Sequence, residues 1–396
     1  MTDSVMNEPQ VFEDVIESKA AWGAVVSLSL GVFGLVTAEF LPISLLTPMS
    51  QDLGISTGIA GQSVTMTAVV AAFAGPGVVI GTRNIDRRWT LLALTTMLII
   101  SSLLASFAHS LTPLLISRVL LGIGLGGFWA MSAALAMRLV PPRLMPRAMA
   151  VILTGVSVAT VSAAPVGAWI GATLGWRAAF TISAGLGVLA LAVQAATMPA
   201  LAPKGSAGLS TFAVLLRRPK IQLALLTTLL VVAGHFAGFT YIRPFLEQVP
   251  KLGVEAISLV LLAFGIGGFF GNLAGGIVSE RSTTLSLSLG ALLISVTAFA
   301  LVLGGATLFI AALAVTVWGF GFGAVPVSAQ SLITRAAPDE AESAGALLLT
   351  TFQIAISSGA VLGGMLIEFQ GPVGVFVFSG ITAASGALLI ASSKNA

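Results

Sequence analysis

Three ionisable residues sit inside long apolar runs and are the first candidates for chemistry. Glu39 lies in AEFLP, Arg118 in LLISRVLLG and His235 in GHFAGFTYIRP. A charge held in hydrocarbon is costly and usually marks function. Counting ~1.5 Å per residue from Trp22 puts Glu39 in the outer part of a bilayer. Arg118, on a run of opposite direction, and His235 fall at a similar depth. An offset of about 196 residues sets His235 opposite Glu39 in a second half of the chain, so the three can line one central cavity. A carboxyl whose burial or charged neighbours change with conformation takes up and releases a proton. An imidazole changes charge near neutral pH. The chemistry these residues suggest is proton coupling, with Glu39 as carrier, His235 assisting and Arg118 alongside. Each has a plainer alternative. Glu39 can be a hydrogen-bonded helix-end residue near Pro42, His235 a packed core histidine, and Arg118 a post that holds the first span. An unpaired arginine at that depth costs roughly 2.5–3.5 kcal/mol, so a partner is expected. Tyr241 and Arg243 read as anchors near the outer surface.

A second set is polar and aromatic: Thr37, Gln62, Thr65, Phe128, Trp129, Trp318 and Gln353. An amide pairs with a nucleobase or a drug amide, and an indole stacks on a planar ring. These are candidate substrate contacts, with lipid-facing or packing roles as the alternative for the tryptophans. A third set is suited to conformational gating. Asp86, Arg87 and Arg88 lie in GTRNIDRRW, and Glu280 and Arg281 in the matching GIVSER. Acid beside base in a short loop can form ion pairs that hold helices in one state; a plain topology-setting loop is the alternative. Pro165, with Gly155, Gly167 and Gly171, permits bending and close helix approach.

The elements that must position these residues are membrane spans. Of 396 residues, 57% are hydrophobic and 8% charged, which excludes an ordinary soluble domain. Twelve apolar runs are read, near 22–48, 59–81, 90–109, 111–136, 148–172, 178–198, 222–246, 256–279, 283–304, 306–334, 344–367 and 371–391. They do not alternate as barrel strands do, so helices are expected. The fold class is therefore all-α membrane protein, twelve transmembrane helices in two pseudo-symmetric bundles of six. With no cysteine and two histidines, thiolate chemistry, disulfides and a histidine-rich metal site are excluded. No intramembrane carboxylate pair supports an enzyme. A net charge of +3 gives no case for a nucleic-acid partner.

The halves are related. A shift of 197 residues puts Gly122 on Gly319, Gly124 on Gly321, Gly126 on Gly323, Arg138 on Arg335 and Pro141 on Pro338. Repeated halves with a site between them are a common transporter plan. The expected division is 1–198, a six-helix bundle with a short acidic tail; 199–221, a linker with Pro203, Gly205 and a basic cluster; and 222–396, the second bundle. Basic residues fix the orientation. Fourteen fall on the side of both termini, Arg177 and Lys251 on the other, so both termini are expected in the cytoplasm.

The chain resembles the major facilitator superfamily, in its twelve-helix drug:proton antiporter branch. RVLLG at Arg118–Gly122 resembles that family's span-4 motif, whose arginine the resemblance implicates in proton coupling. The Gly155–Gly171 stretch is similar to the span-5 antiporter motif, with Ala164 where glycine is usual. Gly81–Arg88 is a compressed form of the loop motif between spans 2 and 3 and lacks a glycine between its basic residues. More narrowly, EFLPISLLTPMSQDLGIS, AGQSVTMTA, LGGFWAMSAALAMRLVPPR and FTYIRP are similar to the purine ribonucleoside efflux pump group. That implies export of inosine- or guanosine-like purine nucleosides and base analogues in exchange for protons, by a monomer in a bacterial inner membrane, with no cofactor beyond the coupling proton. A proton-driven multidrug, sugar or amino-acid exporter of the same superfamily is the alternative.

Overall fold

The computed structural model describes residues 20–141, 144–202 and 210–392. The acidic N-terminal tail, the glycine- and serine-rich part of the expected linker, Arg143, Lys204 and Lys394 lie outside these. Helices run in the order α1 (Trp22–Leu53), α2 (Thr57–Gly81), α3 (Arg87–Ser106), α4 (Leu111–Leu139), α5 (Met145–Thr173), α6 (Trp176–Thr197), α7 (Ser210–Leu215), α8 (Pro219–Thr240), α9 (Ile242–Gln248), α10 (Val254–Arg281), α11 (Thr283–Gly304), α12 (Leu308–Ala336) and α13 (Ala341–Ser392). Eleven of these helices are long and apolar enough to cross a membrane.

The last of them is two spans. At ~1.5 Å per residue, a helix of 52 residues is far longer than a bilayer core of ~30 Å. It breaks at Gly371, whose φ of 71° and ψ of −177° are not helical. Proline follows at 372 and disfavours helical geometry in the residue before it. The glycine takes the left-handed backbone that this corner needs. Twelve crossings result, as the sequence reading expects.

One expected span is interrupted. The run 222–246 reads as a single helix, but α8 stops at Thr240 and α9 starts at Ile242. Pro244 has no N–H to give the carbonyl four residues back, on Thr240, and its ring crowds that turn. The break sets Tyr241 and Arg243 facing inward: Tyr241 is fully buried and Arg243 is 5% exposed. They are not the surface anchors that the sequence suggested.

The two halves repeat in three dimensions. A Cβ on Gly122 of α4 would stand 2.7 Å from the Thr67 carbonyl oxygen of α2. A Cβ on Gly319 of α12 would collide with the Phe264 carbonyl of α10. One turn on, Gly126 faces the Ala71 carbonyl and Gly323 the Gly268 carbonyl. Thr67 and Phe264, and Ala71 and Gly268, are again 197 positions apart. Bare helix faces permit this backbone approach, which replaces the missing hydrophobic drive between helices in lipid. Gly122→Leu is expected to lower the thermal midpoint of the purified protein and its monodisperse yield, since overpacking costs typically 1–3 kcal/mol. Gly185→Leu, with open space around the site, is the control. Equal behaviour of the two variants would remove the packing role of Gly122.

Within the first half α1 packs on α5 and α6, and α4 on α2 and α3; within the second, α8 packs on α13, and α12 on α10 and α11. Between the halves, α2 meets α13, α5 meets α10 and α1 meets α9.

Candidate functional site

Proline decides where α1 has chemistry to offer. Pro42 and Pro48 lie inside this helix. Each lacks the N–H that would bond the carbonyl four residues earlier, so Ala38 and Ser44 keep free acceptors. Both are taken by arginines. Arg118 of α4 donates from Nη1 to the Ala38 oxygen at 3.1 Å, and from Nε to Ser117 Oγ at 3.2 Å. Its guanidinium lies 4.9 Å from the Phe180 ring centroid and is fully buried. The arginine is thus a post tying α4 to α1, one residue before Glu39. Its Nη2 has no partner.

Glu39 is 8% exposed and faces the second half. Its neighbour there is the Gln353 side chain of α13. The pair is not fully satisfied: Glu39 Oε1 and Gln353 Oε1 both lack hydrogen-bond partners. Thr65 Oγ1 of α2 is likewise buried and unpartnered, and Gln62, one turn away, is half-buried. Buried polar atoms are nearly always paired, so the unpaired oxygens of Glu39 and Gln353 at the interface mark a place for a polar ligand.

The remaining sequence candidates fall elsewhere. Thr37 is turned from Glu39 by about 200° around the helix. It lines a cavity of about 200 Å³ between α1, α5 and α6, with Phe33, Leu41, Ser162 and Ser183. Phe128 is fully buried in the core of the first half, against Gly31 of α1. Trp129 packs half-buried on the same core. Pro165 is buried on α5, where a Cβ on Gly155, Gly167 or Gly171 would meet Ser29, Ser44 or Leu45 of α1. The small residues of the span-5 motif therefore serve the α1–α5 approach.

His235 does not join Glu39 and Arg118 in a polar cluster. It is fully buried among rings of the second half: Phe322 lies parallel to it with centroids 3.4 Å apart, and Phe239 stacks at 5.3 Å. Trp318 meets it edge-on at 5.3 Å. Both imidazole nitrogens and Trp318 Nε1 are unpartnered. The first half reaches this group through Phe40, which stacks on Phe236 at 6.3 Å and meets Phe239 edge-on at 6.4 Å. Phe40 follows Glu39 in the chain, so the carboxyl and the ring cluster adjoin.

The end of the molecule where α1 stops is latched across the halves. Arg243 donates to the Ser44 carbonyl from Nη1 and to Glu247 Oε1 from Nε at 2.8 Å. Thr47 donates to Glu247 Oε2 at 2.6 Å, and Ser56 to Glu368. Tyr241 fills the space over Gly61 and Gly364 and donates to the Ala360 carbonyl at 2.9 Å. Sequence reading passed over these residues because Ser44, Thr47 and Glu247 gain meaning only once α9 is bent inward. At the opposite, basic end, no side-chain hydrogen bond between the halves is present among the described residues.

Asp86 at that basic end caps α3 by accepting the Arg88 N–H at 2.8 Å, and accepts the Leu201 N–H at 2.9 Å. Arg87 donates to Thr82, and Arg88 to the Ala195 carbonyl. These bonds staple the α2–α3 loop to the chain leaving α6. In the second half Arg335 donates to the Ser279 and Glu280 carbonyls, and the Glu280 and Arg281 side chains are exposed. A bidentate pair, Arg218 to Asp339 at 2.8 and 2.6 Å, joins the start of α8 to the turn after α12. The guanidinium holds the Asp339 carboxyl down to about 2. That exposed pair persists at neutral pH and is lost only as pH falls through that value, so it contributes no pH dependence in the working range.

The sequence profile described as Major Facilitator Superfamily matches residues 28–360. This chain belongs to the major facilitator superfamily. A purine ribonucleoside efflux pump, NepI, of Escherichia coli (strain K12) is 42% identical over 369 residues, 93% of each chain. The protein of that name from Shigella dysenteriae serotype 1 is also 42% identical, over 93% of this chain and 94% of its own. Among solved structures, a POT family transporter in complex with a thioalcohol-conjugated peptide aligns with a TM-score of 0.76 at 13% identity, covering 94% of this chain and 96% of its own. A bacterial homologue of the human lysosomal transporter Spinster aligns at 0.72 and 16%, covering 95% of each. These structures share the major facilitator fold with this chain. It is a transporter and not an enzyme.

Proposed function

We propose that this protein exports purine ribonucleosides, inosine- or guanosine-like, and their analogues from the bacterial cytoplasm in exchange for protons. Similarity to the Escherichia coli efflux pump along 93% of both chains supports the substrate. The observation that carries the proton half is Glu39: a carboxyl at the interface of the bundles, beside Gln353, with an oxygen left unpaired. The excess of basic residues sets both termini and the basic end in the cytoplasm. The latched end is then the outer one. The bundles 1–198 and 222–396, joined by 199–221, rock about the central site and expose it to each side in turn.

In this cycle Glu39 accepts a proton from outside and releases substrate; deprotonation toward the cytoplasm restores binding. Opening outward breaks the Arg243–Ser44 and Thr47–Glu247 bonds. Arg118 keeps α1 in place while the carboxyl changes state. The loop stapled by Asp86, Arg87 and Arg88 and the Glu280–Arg281 corner move at the cytoplasmic end, while Pro165 lets α5 bend. The protein acts as a monomer, and the proton is its coupling ion.

The test is transport in proteoliposomes with an imposed pH gradient. Labelled inosine and guanosine are expected to move uphill, and an uncoupler to abolish it. Uphill movement of a drug, sugar or amino acid with no nucleoside transport would assign the protein to the broader exporter class. Uncoupler-insensitive movement would make it a passive facilitator.

A further inference from the structure

The ring cluster around His235 has a shape that packing alone does not explain. Phe322, His235, Phe239 and Phe264 are near-parallel: interplanar angles are 4° for Phe322 on His235, 19° for His235 on Phe239 and 21° for Phe239 on Phe264, with Phe264 beside both of the last two, 6.0 Å from His235. Two rings stand across it. Trp318 lies at 70° to His235, 89° to Phe239 and 80° to Phe264, and Phe236 at 88° to both His235 and Phe322. The result is a slot with parallel floor rings and upright walls.

Two observations point to a ligand. A phenylalanine would fill the middle of this stack without polar atoms, yet the chain has a fully buried imidazole with both nitrogens unpaired, beside a tryptophan whose N–H is unpaired. Neutral imidazole offers one donor and one acceptor, and indole one donor. An all-protein core leaves few such groups unsatisfied. In addition, the ring covering His235 is the least buried of the stack: Phe322 is half-buried, whereas His235, Phe239 and Phe264 are buried. Phe322 closes the slot on its more exposed side.

We propose that this slot is the seat of the substrate's planar heteroaromatic ring, and that Phe322 holds the place on His235 that the ring takes. This rests on the nucleoside reading and deepens it. Base–aromatic stacking tolerates different bases because each has a π-face, which suits a pump for several purines and analogues. The unpaired nitrogens of His235 and Trp318 give the slot a polar rim that an aliphatic ligand cannot use. The sugar then lies toward Glu39 and Gln353, because Phe40 places the slot next to that pair. In this arrangement the face of His235 does the work.

Binding of labelled inosine to the purified full-length protein tests this with two substitutions that both remove the imidazole nitrogens. His235→Phe keeps a ring face and is expected to weaken binding no more than about threefold. His235→Leu loses the face and is expected to weaken it about tenfold, in line with the measured worth of one base–aromatic stack. Equal losses in the two would overturn the stacking role. Phe322→Leu removes the ring to be displaced and should not weaken binding; a tenfold loss would overturn the displacement step. Inosine should also quench tryptophan emission, with the quench at saturating inosine reduced in Trp318→Phe. A quench unchanged by Trp318→Phe would move the ring out of the slot. Failure of the nucleoside reading looks different. If no nucleoside binds but another planar aromatic ligand does, with the same His235→Phe and His235→Leu contrast, the seat stands and the substrate class falls.

Discussion

Glu39→Gln is expected to abolish pH-driven accumulation of substrate while leaving a folded protein that still exchanges substrate across the membrane. The amide keeps the size and hydrogen-bonding reach of the carboxyl beside Gln353 and removes the titratable proton. One proton entering per cycle contributes roughly 2.3 kcal/mol per 100 mV of membrane potential. At about 1.4 kcal/mol per tenfold, the accumulation ratio lost is about fiftyfold at 100 mV. The measurement is uphill transport in proteoliposomes with an imposed gradient, set against counterflow at uniform pH. Uphill transport retained in the variant would take Glu39 out of the coupling step. Loss of both activities would mean that the carboxyl is needed for binding or for folding, which a thermal melt separates. His235→Phe in the same assay should keep the gradient response, because both faces of that imidazole are covered by rings and neither nitrogen has a proton-transfer partner.

Much of this was legible in the sequence for identifiable physical reasons. Hydrophobic runs of bilayer length and segregated arginines and lysines set the helix count, because lipid leaves backbone groups no other partner. The 197-residue repeat of glycines marked the two halves as related, and in the structure the same glycines stand where helices approach closely, since a missing Cβ matters only where another backbone comes near. Glu39 and Gln353 stood out as polar side chains in apolar surroundings, and the interface brings them together. Phe128 and Thr37 show where sequence stops. Thr37 lies on α1, which reaches the interface, but facing is a matter of rotation by one residue, and 57% hydrophobic composition leaves little periodic contrast to fix it for either residue. The ring slot had a signal that went unused: His235 and Phe239, and Trp318 and Phe322, are each four apart, the spacing that sets side chains on one helix face. The meeting of those two faces is tertiary information. Arg118 and Arg243 are the more instructive pair. Each arginine invites a charge partner, and for Arg118 the main partner is a carbonyl that a proline four residues later leaves free. That relation is readable in AEFLP and ISLLTP as soon as the proline is treated as a missing donor.

The same relation gives the second large prediction, at the outer end. Arg243 is 5% exposed and spans the halves, holding the Ser44 carbonyl that Pro48 orphans and the Glu247 carboxylate that Thr47 also reaches. Hydrogen bonds to charged groups contribute about 1.5–3 kcal/mol. Losing one from the closed state alone shifts the inward–outward equilibrium by roughly ten- to a hundredfold toward outward-open. Arg243→Gln is expected to do so. Pro48→Ala should shift it the same way by less, because the restored N–H competes with Arg243 for Ser44. The chain has no cysteine, so a single Ala60→Cys, fully buried beside Tyr241 in the closed state, reports opening without background. Its labelling by a membrane-impermeant thiol reagent from the outside should rise in Arg243→Gln and, more modestly, in Pro48→Ala. If Arg243→Gln labels like the parent, the bridge does not hold the outer end shut. If Pro48→Ala labels less than the parent, the proline does not act by freeing Ser44, and its effect lies in the bend it gives α1. The rank order of the two variants thus tests the origin of the latch in a missing backbone donor, separately from its strength.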